Sequence, residues 1–136
     1  MSTAVNQIKV KEIMHPVSKI PLVYEKQYLK IALEIMTKYS FGIACVVDKD
    51  LVLKGVMTDG DIRRMVLNEQ KPLPGLFLDD TIDHARLDFL SINENATISD
   101  AIMLVEKKRV WDLPVINDKG IIQGLLHLHS IVQKLT

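Results

Sequence analysis

The clearest order along the chain is the recurrence of its apolar positions. Leu29, Ala32, Leu33 and Met36 fall at i, i+3, i+4 and i+7, one face of a helix. Ile98, Ala101, Ile102 and Val105 repeat that spacing 69 positions later. The same shift lays SFGIACVVDKDLVLKGVMT (40–58) on RVWDLPVINDKGIIQGLLH (109–127), with Gly55 on Gly124 and Ile62 on Ile131. Upstream it lays Ile13 and His15 on Ile82 and His84, without a gap over about 60 residues. A duplicated element organises the chain.

Each copy predicts the same elements. After the helix comes a β-branched apolar run, Ile43–Val47, that reads as a buried strand. Asp48-Lys49-Asp50 and Asn117-Asp118-Lys119-Gly120 are turn material, and Val52–Met57 and Ile121–Leu126 read as the return strands of hairpins. Short helices follow over Gly60–Leu67 and about Leu128–Leu135. Ahead of each long helix lie a short amphipathic segment, VKEIMH or DTIDHA, and an extended run near Pro21–Val23 or Phe89–Ile92. Thr97-x-x-Asp100 predicts an N-terminal capping box for the second long helix, whereas the first helix starts with no such signal near Gln27-Tyr28. Asn68–Gly75, with two prolines and a glycine, reads as a short linker. A half of about 60 residues buries too little apolar surface to stand comfortably alone. The expected fold is therefore α+β: two β-α-β-β-α repeats, 8–70 and 77–136, packed with pseudo-twofold symmetry.

Composition narrows the function. The chain has 136 residues, 48% hydrophobic, with 17 basic against 17 acidic residues. Zero net charge without a basic stripe gives no nucleic-acid footprint. One cysteine, Cys45, cannot form an internal disulfide, and its place in IACVV predicts a buried, inert thiol. MSTAVNQIKVKEIM lacks the apolar core of a signal peptide, and no apolar run approaches a membrane span. A cytoplasmic protein with no membrane partner is expected. No Ser-His-Asp constellation, activated thiol, zinc signature or phosphate-binding glycine loop is present, so no enzyme activity and no catalytic residue is assigned.

The element order, with GVMTDGDIRR in the first copy and LPVINDKGIIQGLLHLH in the second, resembles a tandem pair of CBS domains, the Bateman module, over nearly the whole chain. TDGDIRR followed by GLLHLH is similar to the C-terminal CBS region of bacterial arabinose-5-phosphate isomerases. TDGDIRR also resembles CBS pairs attached to some sugar nucleotidyltransferases. The sugar isomerase domain is missing from this sequence. In the isomerase family an Asp commonly follows LHLH, and Ser130 stands there instead.

The resemblance implies a nucleotide-binding cleft between the repeats and names residues for it. Thr58 and Asp61 would contact phosphate and ribose. A carboxylate can accept from both ribose hydroxyls, and a hydroxyl beside free N–H groups at a helix start suits a phosphate. The same two residues also make a capping box by themselves, and the two readings are compatible. Asp59 adds a charge favourable to the helix dipole. Arg63 and Arg64 point about 100° apart, so one of them, taken as Arg63, would face a phosphate. Ile43, Ala44 and Asp112 lie in the backbone stretches that would clasp a base, and Val17–Ile20, ending on Ile20, and Arg86–Asp88 would follow the leading segments near the same cleft. His127, His129 and Ser130 occupy the second-copy positions of Thr58, Gly60 and Asp61 and would contact phosphate or sugar. Trp111 could stack on a base, cover an interface or pack half-buried. Two histidines without a neighbouring Cys or carboxylate are weak metal ligands, and no metal ligand is assigned.

Two functions from different classes follow. The first is a regulatory sensor in which AMP, ADP, ATP or a sugar nucleotide is a ligand and no cofactor is required. It would act on an attached or partner protein, such as a sugar-phosphate isomerase or a nucleotidyltransferase. The second is an interaction module that assembles a homodimer and takes no small molecule; the resemblance implies a homodimer in either case. A metal- or cation-sensing module is a third reading, resting on the four histidines alone.

Overall fold

The computed structural model describes residues 6–135. Its described elements follow the duplicated order. In the first copy these are β1 (His15–Pro16), β2 (Leu22–Tyr24), α1 (Leu29–Tyr39), β3 (Ile43–Val47), β4 (Leu53–Thr58) and α2 (Asp59–Asn68). A short helix, α3 (Leu73–Phe77), precedes the second copy: β5 (Ile92–Asn93), α4 (Ile98–Lys108), β6 (Asp112–Ile116), β7 (Ile122–His127) and α5 (Leu128–Leu135). 3-10 turns at Val10–Glu12 and Thr81–His84 form the amphipathic leading segments. The expected β-α-β-β-α order is present in both copies.

The chain packs as two units that are not the two sequence repeats. One unit is Lys19–Phe89; the other joins the described residues through Ser18 to those from Leu90 onward. Each unit is thus completed by the leading segment of the other repeat, through matching backbone bonds. In one unit Lys11 N–H donates to Glu94 and Ile98 N–H to Ile8; in the other Ile82 N–H donates to Glu25 and Leu29 N–H to Asp79. Position 82 thus stands for 11, and 79 for 8. The leading segments are offset by 71 positions, while the repeat bodies keep the 69 of the sequence. The gapless alignment that set His15 on His84 is corrected here: His15 is the counterpart of Arg86.

In the Lys19–Phe89 unit, β2 pairs parallel to β3 and β3 antiparallel to β4, and Arg86 bridges antiparallel to Val56 on the outer edge of β4. Every residue of β3 is buried, as its unbroken apolar run requires. Leu29, Ala32 and Met36 of α1 meet Val23, Ala44, Met57 and Leu76 in the core. Leu76 belongs to α3, which begins inside the stretch expected to be linker. Pro72 opens that helix and Leu76 goes under it, 1% exposed. Cys45 is buried in β3 and not disulfide-bonded.

In the other unit the sheet order is β1-β7-β6-β5, again with one parallel and one antiparallel neighbour for β6. Ile98, Ala101 and Val105 of α4 pack on Val10, Leu113, Val115, Leu126 and Ile131. Local devices repeat as well. Asp48 Oδ1 accepts from the N–H groups of Asp50 and Val52, and Asn117 Oδ1 from those of Lys119 and Ile121. Both hairpins then need a left-handed residue, supplied by Gly120 in one and by Leu51 (φ 65°) in the other.

Candidate functional site

The strand-to-helix junction of β4 and α2 brings Thr58 and Asp61 together. Thr58 is extended (φ −101°, ψ 166°), and its hydroxyl accepts from Asp61 N–H at 3.1 Å. Asp61 Oδ2 accepts in return from Thr58 N–H at 3.0 Å. The cap consumes one carboxylate oxygen only. Oδ1 accepts from Arg64 Nη2 at 2.7 Å and from Arg86 Nη2 at 2.8 Å. The Asp61 side chain is 12% exposed, while both arginine side chains are about half exposed. Partial burial works to raise the Asp61 pKa. The Thr58 N–H, Arg64, the Thr58 side chain and Arg86 together outweigh it and bring the carboxyl down to about 2. Asp61 is therefore an anion throughout the physiological range. It opens on a groove of about 310 Å³ lined also by Arg64, Asn68, Glu69, His84 and Arg86.

Other expected residues lie elsewhere. The Asp59 carboxylate leans over Gly42, where an added Cβ would come within 3.0 Å of Oδ2. It lines a different cavity of about 410 Å³, with Leu33, Met36, Phe41 and Ile62, and does not join Asp61. Arg63 is exposed, and the guanidinium of α2 that meets Asp61 belongs to Arg64. Ile20, Ile43 and Ala44 bury their side chains in the core at 2%, 4% and 0% exposure, so any contact they make with a ligand falls to their main chain.

The junction of β7 and α5 carries different chemistry in the same framework. Asp112 and His127 are cross-strand partners, as Ile43 and Thr58 are in the other unit. Asp112 Oδ1 and His127 Nδ1 lie 2.6 Å apart. Ser130 Oγ lies 3.0 Å from His15 Nε2, which places His15 on Ser130 as Arg86 lies on Asp61. The exposed His129 ring is centred 6.3 Å from that of His127. Among the described residues no group of three His, Cys, Asp or Glu side chains is placed to hold a metal ion. Trp111 is 70% exposed, which removes the half-buried packing alternative.

The sequence reading placed Arg86 near the cleft but missed it as a partner of Asp61. The signal was present as the offset of the leading segments, which a gapless alignment conceals. Main-chain bonds between Arg86 and Val56, at 2.7 and 3.0 Å, hold the segment beside β4.

Residues 10–68 and 72–136 each match the CBS domain. The chain belongs to the CBS domain family. As a CBS pair it is 30% identical over 127 residues to an uncharacterised protein of Rickettsia prowazekii, covering 93% of this chain and 38% of that one. It is 27% identical over 126 residues to the arabinose 5-phosphate isomerase KdsD of Yersinia pestis, covering 93% of this chain and 37% of the enzyme. The chain spans less than two fifths of the length of these curated relatives. Among solved structures, CBSX2 in complex with AMP matches with a TM-score of 0.82 at 22% identity, covering 94% of this chain and 96% of that one. No helix among the described residues is long and apolar enough to cross a membrane.

Proposed function

We propose that this CBS pair is a regulatory module that binds an adenine nucleotide at the junction of β4 and α2. The observation that carries the proposal is the state of Asp61: a carboxylate held ionised, at the edge of a groove, with two half-exposed guanidinium groups beside it. Its oxygens suit a ribose diol, and the arginines suit a phosphate bidentately. Thr58 and the start of α2 add N–H and hydroxyl groups on the same side. The AMP held by CBSX2, whose fold this chain shares, supports the choice of adenine nucleotide. Binding that favours one arrangement of the chain would be felt by whatever protein the module is attached to or meets. A sugar-phosphate isomerase is the partner class suggested by the relative from Yersinia pestis. The homodimer implied by the family resemblance belongs to the same proposal, and sedimentation velocity tests it.

Calorimetric titration with AMP, ADP and ATP, on the wild type and on Asp61→Ala, tests the ligand. Binding by the wild type, weakened at least tenfold in Asp61→Ala, is expected, because a charge-assisted hydrogen bond contributes about 1.5–3 kcal/mol. No binding at millimolar concentration would instead favour a ligand-free interaction module, in which the closed Asp61–Arg64–Arg86 network serves stability alone.

A further inference from the structure

Asp61 Oδ1, the oxygen left over by the cap, is already occupied. Arg64 reaches it from three residues along α2, and Arg86 reaches it from a segment 25 residues away. The two differ in how they are held. Arg64 rides on the helix that Asp61 itself caps, and its guanidinium also lies over Gly60, where an added Cβ would meet Nη1 at 3.3 Å. Arg86 is fixed by its main chain: its N–H donates to the Val56 carbonyl at 2.7 Å and its C=O accepts from Val56 N–H at 3.0 Å. Its side chain is 51% exposed and lines the groove. The guanidinium can therefore leave Asp61 without breaking the rung that anchors the segment to β4. A ribose that takes Asp61 Oδ1 must displace it, and a displaced guanidinium has a dianionic phosphate as its best available partner.

We propose that Arg86 is an internal competitor that becomes a phosphate reader: it closes Asp61 in the free protein, yields the carboxylate to the ribose hydroxyls, and pairs with the phosphate of the bound nucleotide. This rests on the nucleotide reading above and gives it a selectivity. A nucleoside has to evict Arg86 and offers nothing in exchange. A nucleotide evicts it and re-engages it. The site then rejects adenosine and accepts AMP through one residue, which belongs to the second sequence repeat although it packs in the first unit. The other titratable groups at the groove are Glu69 and His84, and His84 Nε2 lies 2.8 Å from Asp79 Oδ2.

The test compares AMP with adenosine on wild type, Arg86→Ala and Arg86→Lys by calorimetry, with circular dichroism to check the fold. Arg86→Ala should bind AMP roughly tenfold or more weakly, the scale of a lost charge-assisted contact. It should bind adenosine more tightly than wild type, and unchanged adenosine binding would overturn the competitor. Arg86→Lys keeps the charge but loses the bidentate fork and should fall between. A wild-type measurement needs no variant to fold: added sodium chloride screens both pairings, so AMP should weaken while adenosine strengthens or holds. Parallel losses for both ligands in Arg86→Ala, or the same salt response for both, would overturn the competitor while leaving the nucleotide site standing. Failure of wild type to bind either ligand overturns both.

Discussion

At the end of β4 a carboxylate faces two guanidinium groups; at the end of β7 a hydroxyl faces an imidazole. The backbone frame around the two is nearly the same. Each junction follows an antiparallel hairpin with a bulge at the matching place, between Val46 and Val47 in one and between Val115 and Ile116 in the other. Each receives a side chain from the leading segment of the other repeat, Arg86 or His15. What differs is charge. The first junction holds a fixed anion and two fixed cations. The second couples Asp112 to His127 across the strands and leaves Ser130, which cannot ionise, in the carboxylate's place. Duplication thus preserved the frame and let the chemistry diverge, so similarity of fold between the units says little about similarity of ligand.

The comparison can be broken most sharply at its two equivalent glycines. A Cβ on Gly124 would overlap the His15 carbonyl oxygen and lie 2.9 Å from Met14 Sδ. On Gly55 it would meet Ala85 Cβ at 3.0 Å and the Arg86 carbonyl oxygen at 3.1 Å, contacts that a small shift relieves. Overpacking against fixed backbone costs about 1–3 kcal/mol and sometimes more, so Gly124→Ala should lose roughly 3 kcal/mol and Gly55→Ala roughly 1. Urea unfolding of the two variants measures the gap, and equal losses would show that the leading segments pack alike.

The second break is electrostatic. The Asp61 carboxyl is depressed to about 2 from its ordinary 3.8. A group depressed on folding stabilises above its unfolded pKa and loses that contribution as pH falls through its folded pKa. The window runs from about pH 4 down to about pH 2. Because both guanidinium partners are half exposed, solvent screening holds the effect to about 1 kcal/mol. Asp61→Asn should remove that part of the acid loss, whereas Ser130→Ala should leave the acid profile unchanged. Chemical denaturation at pH 5 and pH 2.5 compares them.

The smallest effect lies at the hairpin turns. Leu51 adopts the left-handed conformation that Gly120 adopts in the other copy. A non-glycine residue there costs about 1–2 kcal/mol, and glycine returns roughly half of that in chain entropy. Leu51→Gly should therefore raise stability by about 0.5–1 kcal/mol, read as a higher melting midpoint.

These cases show which parts of the molecule local sequence could reveal. The long helices, the hairpins and both Thr-x-x-Asp capping boxes were legible because each is specified by residues within a few positions of one another. Helix α3 was not, because Pro72, Pro74 and Gly75 read as punctuation, while the burial of Leu76 that makes the helix worthwhile depends on residues far away in sequence. The packing units were hidden for a related reason: the first copy has two extra positions between its leading segment and its body, where few residues are identical. Thr58 and Asp61 could be singled out from their spacing, but Arg86 could not, since its link to Asp61 spans 25 residues. Asp59 lies two residues before Asp61 but lines a different cavity, because residues two apart on a helix do not face the same way.

The central claim is that the first junction is a nucleotide site and the second is not an equivalent one. Equilibrium dialysis of AMP against wild type, Asp61→Ala and Ser130→Ala measures it directly. One nucleotide per chain is expected, lost or weakened at least tenfold in Asp61→Ala and unchanged in Ser130→Ala, on the scale of a charge-assisted contact. Binding that survives in Asp61→Ala and disappears in Ser130→Ala would contradict the account and move the site to the histidine-bearing junction.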